Sequence, residues 1–206
     1  METVTVAILA GGNSKRFGSE KALAEYRGRP LVTHMVDVAR KLSSEIMIVV
    51  SDEAQGESLK KVVSDIRIAV DPPGETKCAL TGALTAFEHT TTAYALLLPV
   101  DSPLANSDLL RMLIRLGPGH GAVVPSWPSG YIEPLHSVYL AEHAYFHGLK
   151  VIDEGFHKMS DLLDRLQRVL YISTETLKQF DSDLGTFTNF NTPKELKAAE
   201  RRNSRK

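Results

Sequence analysis

Cysteine is almost absent: Cys78 is the single one in 206 residues. That excludes an internal disulfide and a cysteine-based zinc centre, and it fits a reducing cytosol. An excess of either charge is absent too. The chain carries 24 Lys and Arg against 25 Asp and Glu, a net charge of −1, whereas nucleic acid and anionic membrane surfaces both reward a strong basic excess. Any basic site must therefore be local. Long hydrophobic runs are missing: the apolar run at residues 4–10 has no basic region before it and is too short for a cleaved signal segment, and no stretch approaches a membrane span. Internal repeats and low-complexity segments are not visible. The two common phosphate-binding signatures, Gly-x-x-x-x-Gly-Lys-Ser/Thr and Gly-x-Gly-x-x-Gly, are absent as well. A soluble, cytoplasmic protein with no nucleic-acid or membrane partner is expected.

What is present is an ordinary globular balance, 43% apolar and 24% charged, enough for one domain with a sizeable core. Short β-branched runs predict strands at 4–9, 46–50, 67–70, 94–99, 122–125, 135–139 and 169–172. Helical spacing after Pro30 (Leu31, Met35, Val38, Ala39, Leu42) and within 78–89 (Leu80, Leu84, Phe87) predicts helices between them. Ser107 is expected to cap a helix over 108–116 that Gly117-Pro118-Gly119 stops, and Ser160 one over 161–167. A charged helix from Pro193 is expected to fray after Ala199. Strands that are apolar throughout, alternating with amphipathic helices, imply an α/β, Rossmann-like three-layer sandwich with a mostly parallel central sheet and helices on both faces. Residues 117–132 read as a loop–strand excursion whose partner strands form a small antiparallel appendage or edge.

An open α/β sheet binds ligands beyond the carboxyl ends of its strands, so the residues after each run carry the functional information. The first run empties into Gly11-Gly12-Asn13-Ser14-Lys15-Arg16, the second into Ser51-Asp52, the third into Asp71-Pro72-Pro73-Gly74, and the fourth into Val100-Asp101-Ser102-Pro103. Paired glycines let backbone N–H groups point at one anion. Arg16 offers a planar fork to phosphate oxygens and Lys21 a mobile point charge. Asp101 is placed either to cap the turn that follows or to hold Mg²⁺, which takes one or two carboxylates plus substrate phosphates; the cationic loop on the same edge favours the metal. Asp71 is open to the same two readings, and a carboxylate there could accept from the N–H edge of guanine.

At this point a resemblance becomes specific. "LAGGNSKRFGSEKAL" is similar to the nucleotide-binding signature of the nucleotidyltransferase superfamily. With "RGRPL" soon after, it most resembles the molybdenum cofactor guanylyltransferases. "PVDSP" resembles that family's Asp-containing metal motif, "EPLHSVY" its substrate-side strand, "GFHKMSDLLDRL" an internal segment with Asp161 in place of the usual Leu, and "FTNFNTPKEL" its closing motif. The resemblance runs from Val6 to about Leu196. "KCALTGAL" departs from it, with Lys77 or Cys78 where the family has Gly-Pro.

The resemblance implies a nucleotide-diphospho-sugar transferase type of fold, a nucleotide-binding half (1–105), an acceptor-binding half (106–199) and a disordered tail (200–206). Leu9, Ala10, Gly11, Gly12 and Ser14 would hold GTP, with Arg16 and Lys21 on its phosphates and Ser51 and Asp71 by the guanosine. Asp101 would ligate Mg²⁺. Pro134, Leu135, Asn189 and Asn191 would lie on the molybdopterin side, and His136 within "EPLHSVY" is a further acceptor-side candidate. Arg16, Lys21 and Asp101 would be the catalytic set. The expected reaction is transfer of GMP from GTP to molybdopterin or its molybdenum-loaded form, with other molybdenum cofactor proteins as partners. A cytidylyl- or sugar-phosphate nucleotidyltransferase and a non-catalytic GTP-binding module are the alternatives. Since the acceptor phosphate is already an anionic nucleophile, no general base is needed.

Overall fold

The computed structural model describes residues 3–11, 20–74 and 76–203. Along those residues run β1 (Val4–Leu9), β2 (Glu25–Tyr26), β3 (Arg29–Pro30), α1 (Leu31–Arg40), β4 (Ile46–Val50), α2 (Glu53–Lys60), β5 (Arg67–Val70), α3 (Ala79–Glu88), β6 (Tyr94–Pro99), α4 (Ser107–Leu116), β7 (Ala122–Ser126), β8 (Val138–Leu140), α5 (Ala141–Asp153), α6 (Met159–Leu163), β9 (Val169–Ser173), α7 (Thr174–Leu177) and α8 (Pro193–Asn203).

Seven strands form one sheet in the order β5-β4-β1-β6-β8-β7-β9. Neighbours are parallel except at β8, which runs antiparallel to both β6 and β7. β1 is central and buried along its whole length. Its side chains alternate between the two faces. Val4, Val6 and Ile8 join Met35, Leu59, Leu109 and Leu113 in one core, while Ala7 and Leu9 join Leu80, Leu84, Ala144 and Leu162 in the other. Helices α1, α2 and α4 thus cover one face and α3, α5 and α6 the opposite one, which is why the strands read as unbroken apolar runs. No helix among the described residues is long and apolar enough to cross a membrane.

The hairpin β2–β3 turns at Arg27 and Gly28, both at positive φ (50° and 71°), the backbone that a tight two-residue hairpin turn demands. It carries Tyr26 into a third, smaller core with Leu31, Phe190 and Leu196. The Tyr26 and Phe190 rings stack at 5.8 Å. Two segments far apart in sequence, the stretch after β1 and the chain before α8, are pinned together there.

Several local expectations need correction. Of the two forms expected for the excursion, an antiparallel appendage or edge, the appendage is not seen: β7 and β8 pair antiparallel and, with β9, form one side of the main sheet. The strand expected at 135–139 begins only at Val138, because Glu133 to His136 form a turn closed by His136 N–H to the Glu133 carbonyl at 3.1 Å. Asn106, not Ser107, caps α4, its Oδ1 accepting from Asp108 and Leu109 N–H. Gly117 ends that helix in right-handed geometry (φ −55°), without the left-handed glycine turn. Helix α6 starts after Lys158 and ends at Leu163; Asp161 accepts from the Lys158 N–H at 3.0 Å and so acts as a cap. Helix α8 continues past Ala199 to Asn203. Helices α2 and α5 carry no clear stripe: α2 buries only Gly56 and Leu59, and α5 buries small residues while Phe146 and Leu149 face out.

Gly121, entering β7, takes no side chain. A Cβ there would collide with the Gln167 carbonyl oxygen, a backbone atom that cannot step aside. Gly82, inside α3, has nothing within 4 Å of its missing Cβ. Urea unfolding of Gly121→Ala is expected to show a loss of about 1–3 kcal/mol, the usual cost of overpacking. Gly82→Ala is expected to gain about 0.5–1 kcal/mol, the usual helix-interior difference between Gly and Ala.

Candidate active site

Strands β5, β4, β1 and β6 are mutually parallel, so their carboxyl ends lie along one edge and the polar residues after them become neighbours. Gly11 shows how closely. It donates to the Val49 carbonyl at 3.1 Å, and a Cβ on it would lie 2.7 Å from Ser51 Oγ and 3.5 Å from Asp71 Oδ2. Glycine is needed because the β1 exit is pressed against the next two strand ends. Gln55 fastens this junction from α2: its side-chain N–H₂ donates to the Ala10 carbonyl at 3.0 Å, and its Oε1 accepts from Ser51 N–H at 2.8 Å.

Next to that junction is a cleft of about 240 Å³ lined by Ser51, Asp52, Asp71, Pro72, Pro73, Gly74, Lys77 and Thr81. Asp71 is half-buried and accepts the Thr85 hydroxyl at 2.7 Å. Burial pushes its pKa above the ordinary 3.8, a rise that the Thr85 bond and Lys77 only partly offset. Asp52 caps α2, and the Gln55 N–H that it accepts holds its carboxyl below the usual range, with Lys77 contributing at 3.4 Å. The cleft thus offers two carboxylates of opposite tendency and one ammonium.

The second cluster surrounds Asp101, just past β6. Its Oδ2 takes a short bond from the Lys21 ammonium, and both side chains are largely buried. The same ammonium donates to Asn191 Oδ1 at 3.2 Å. Phe190 N–H donates to the Asp101 carbonyl at 3.0 Å, and Ser102 Oγ donates to Asn189 Oδ1 at 2.6 Å. Phe190 turns inward and is buried, while Asn189 and Asn191 on either side stay exposed. The strand order places this cluster two strands from β4, about 10 Å across the sheet.

The structure therefore brings together Lys21, Asp101, Asn189 and Asn191, and separately Gly11, Ser51 and Asp71. Leu9 and Ala10 are buried and present only backbone to the edge. Pro134 and Leu135 shape the turn below: the Pro134 carbonyl accepts the Tyr139 hydroxyl at 2.8 Å, and Leu135 packs on the core. His136 is 1% exposed and reaches the edge only through Ser102, its Nε2 lying 3.0 Å from that hydroxyl. Gly12, Ser14 and Arg16 lie outside the described residues. Gln55, Thr85, Ser102, Glu133 and Trp127 take part without having been singled out. Only the spacing of Glu133 to His136 carried a hint, that of a tight turn.

Among the described residues no three His, Cys, Asp or Glu side chains form a metal cage. Asp101 is nevertheless suited to a hard cation. It is a carboxylate with Oδ2 engaged by Lys21 and Oδ1 without a hydrogen bond among the described residues. Mg²⁺ uses such single carboxylates with substrate phosphates and water completing its shell.

A mostly parallel, helix-covered sheet with its polar strand exits gathered on one edge is the Rossmann-like α/β fold of the nucleotide-diphospho-sugar transferases, and the chain is of the nucleotidyltransferase class. Within that class it belongs to the MobA-like NTP transferase domain family, whose profile matches residues 6–169. Among solved structures it is similar to the molybdopterin-guanine dinucleotide biosynthesis protein A of Archaeoglobus fulgidus, with a TM-score of 0.83 and 28% identity over 98% of this chain and 100% of that one. A "Probable molybdenum cofactor guanylyltransferase" of Pelotomaculum thermopropionicum is 32% identical, covering 95% of this chain and 91% of the relative. The molybdenum cofactor guanylyltransferase of Pseudomonas entomophila is 29% identical, covering 73% and 81%.

Because Asp71 binds protons more tightly folded than unfolded, the folded state gains from it below pH 3.8 and loses that gain as pH rises through the raised value. Asp71→Asn keeps the acceptor for Thr85 but cannot ionise. Urea unfolding is expected to show the variant gaining on the wild type between about pH 4 and pH 7, the direction set by linkage; a constant difference would contradict it.

Proposed function

We propose that the protein is a molybdenum cofactor guanylyltransferase that transfers GMP from GTP to the terminal phosphate of molybdopterin or Mo-molybdopterin. The observation that carries this reading is the junction of Lys21, Asp101 and Asn191. It places a cation, a carboxylate and an amide from three parts of the chain at one strand exit, beside the cleft at Ser51 and Asp71. The names of its relatives agree with it.

In this reading the cleft takes the guanine. Asp71 and Asp52 accept from its N–H groups and Lys77 donates to its O6, a polarity that cytosine does not match. Gly11, with Gly12 and Ser14, lines the triphosphate, and Arg16 and Lys21 neutralise it. Asn189 and Asn191 receive the acceptor phosphate, so residues 1–105 serve the nucleotide and 106–199 the acceptor. An oxygen of that phosphate attacks the α-phosphorus; the bond from the α-phosphorus to the β-bridging oxygen breaks, pyrophosphate leaves with that electron pair, and a new P–O–P link remains. The attacking oxygen is already ionised, so no side chain need remove a proton. The protein aligns two polyanions and offsets their charge. Mg²⁺, held by Asp101, would supply Lewis-acid stabilisation of phosphoryl charge. Such a reaction on soluble nucleotide and cofactor suits a cytoplasmic protein and allows hand-over to other molybdenum cofactor proteins.

Pyrophosphate release with GTP, molybdopterin and Mg²⁺ tests the reading. Asp101→Asn and Lys21→Met are each expected to lower kcat by about 10²–10³, the effect of removing one preorganised charge-stabilising group. GTP is expected to raise the melting temperature more than CTP does. No pyrophosphate release from the wild type, or a preference for CTP, would overturn the assignment.

A further inference from the structure

Behind Asn189 lies a line of buried polar groups that the transfer chemistry above does not use. Ser102 is wholly buried, and its one hydroxyl hydrogen goes to Asn189 Oδ1. The 3.0 Å contact between Ser102 Oγ and His136 Nε2 must then run the other way, with the imidazole donating and Nε2 carrying a proton. The imidazole is gripped on all sides. Phe187 packs edge-on at 5.4 Å, and Glu133 Oε2 lies 3.6 Å from Nδ1, which makes no hydrogen bond. Glu133 is itself buried and held, its Oε1 accepting the Trp127 indole N–H at 2.8 Å and its carbonyl accepting the Ser137 hydroxyl at 2.6 Å.

We propose that Glu133, His136 and Ser102 are positioning residues that fix the direction of the Asn189 side-chain amide, oxygen inward and N–H₂ outward, so that it presents hydrogen-bond donors to an anionic acceptor. An asparagine amide has nearly the same shape when its oxygen and nitrogen exchange places. An outward oxygen repels a phosphate; an outward N–H₂ binds it. Which one faces out is decided by what lies behind: a buried Ser102 hydroxyl that accepts from Nε2–H still has its one hydrogen to place, and of the two ends of the amide only the oxygen can accept it. Asn191 shows the same polarity by other means, its Oδ1 facing the Lys21 ammonium. Among the described residues neither amide nitrogen makes a hydrogen bond, and both residues are exposed. The paired amides thus form a matched donor site, one set from behind by the buried histidine line and the other by Lys21. This inference rests on the proposed function only in taking the acceptor to be a phosphate. It assigns His136 an indirect role in place of contact with the acceptor.

Steady-state kinetics with molybdopterin and GTP test the consequence. Ser102→Ala, which removes one oxygen, and His136→Leu are each expected to raise KM for molybdopterin about tenfold, the effect of losing one hydrogen bond's worth of positioning. The dissociation constant for GTP should not change. His136→Gln, whose side-chain N–H can replace Nε2–H, should restore KM to near the wild-type value. An unchanged KM in Ser102→Ala, or a GTP affinity that falls in step with it, overturns the proposal. A second measurement stands apart from the activity. In the ligand-free protein the side-chain ¹⁵N–¹H₂ signals of Asn189, assigned by their loss in Asn189→Ala, should shift in Ser102→Ala and His136→Leu, return in His136→Gln, and leave those of Asn191 in place. Signals that do not move in the variants refute the relay; signals that do move, with a wild type that shows no guanylyltransferase activity, refute the proposed function and leave the relay standing.

Discussion

Lys21 reaches from the segment after β1 to the carboxylate at the end of β6 and to the Asn191 amide ahead of α8, so three parts of the chain meet at one ammonium group. Both charged partners are largely buried, and in that setting neither tolerates loss of the other: a buried pair broken from one side typically costs about 3–5 kcal/mol, since the remaining charge is left without compensation. The contact also sets the electrostatics of the edge. While Lys21 is bound to Asp101 the two cancel, and the ligand-free protein avoids an exposed excess of either sign. In the proposed function, phosphates would offer the ammonium a second anion and leave Asp101 available to a cation.

That meeting is possible because of two constraints lower in the structure. Parallel pairing of β4, β1 and β6 puts their carboxyl ends on one edge, and the apolar strands permit this only because helices cover both faces. The small core of Tyr26, Leu31, Phe190 and Leu196 then brings the C-terminal segment back to that edge. Phe190 is the hinge of the arrangement: its ring is buried against Tyr26, its N–H donates to the Asp101 carbonyl, and its burial forces the asparagines on either side outward. A hydrophobic anchor thereby sets the direction of two polar side chains.

The two clusters differ in how they handle charge. At the cleft, half-burial raises the Asp71 pKa while hydrogen bonding lowers that of Asp52, so neighbouring carboxylates hold their protons unequally. At the Asp101 cluster, charge is matched by an opposite charge, and beneath it hydrogen bonds run from His136 through Ser102 to Asn189. The proposed function assigns a neutral base edge to the first and phosphate to the second.

Much of this was legible from the chain alone. The parallel strands β5, β4, β1 and β6 follow from short β-branched runs, buried on both faces in the inner three, and the polar residues after them were bound to share an edge once the strands were parallel. Asn189 and Asn191 came from the resemblance carried by "FTNFNTPKEL", not from spacing or composition. The helices α2 and α5 were not legible, since one buries too little and the other packs through alanine and glycine. Nor was the place of β8, an antiparallel strand slipped between β6 and β7, because hydrophobic pattern records burial and not the neighbour. The sequence by itself determined which residue types stand at the strand exits, as local propensity and burial act over short stretches. Only the tertiary structure decided that Lys21 pairs with Asp101, 80 positions away, and that His136 lies under the site instead of in it. Such pairings depend on which surfaces meet when the sheet closes, and nothing within either segment specifies that.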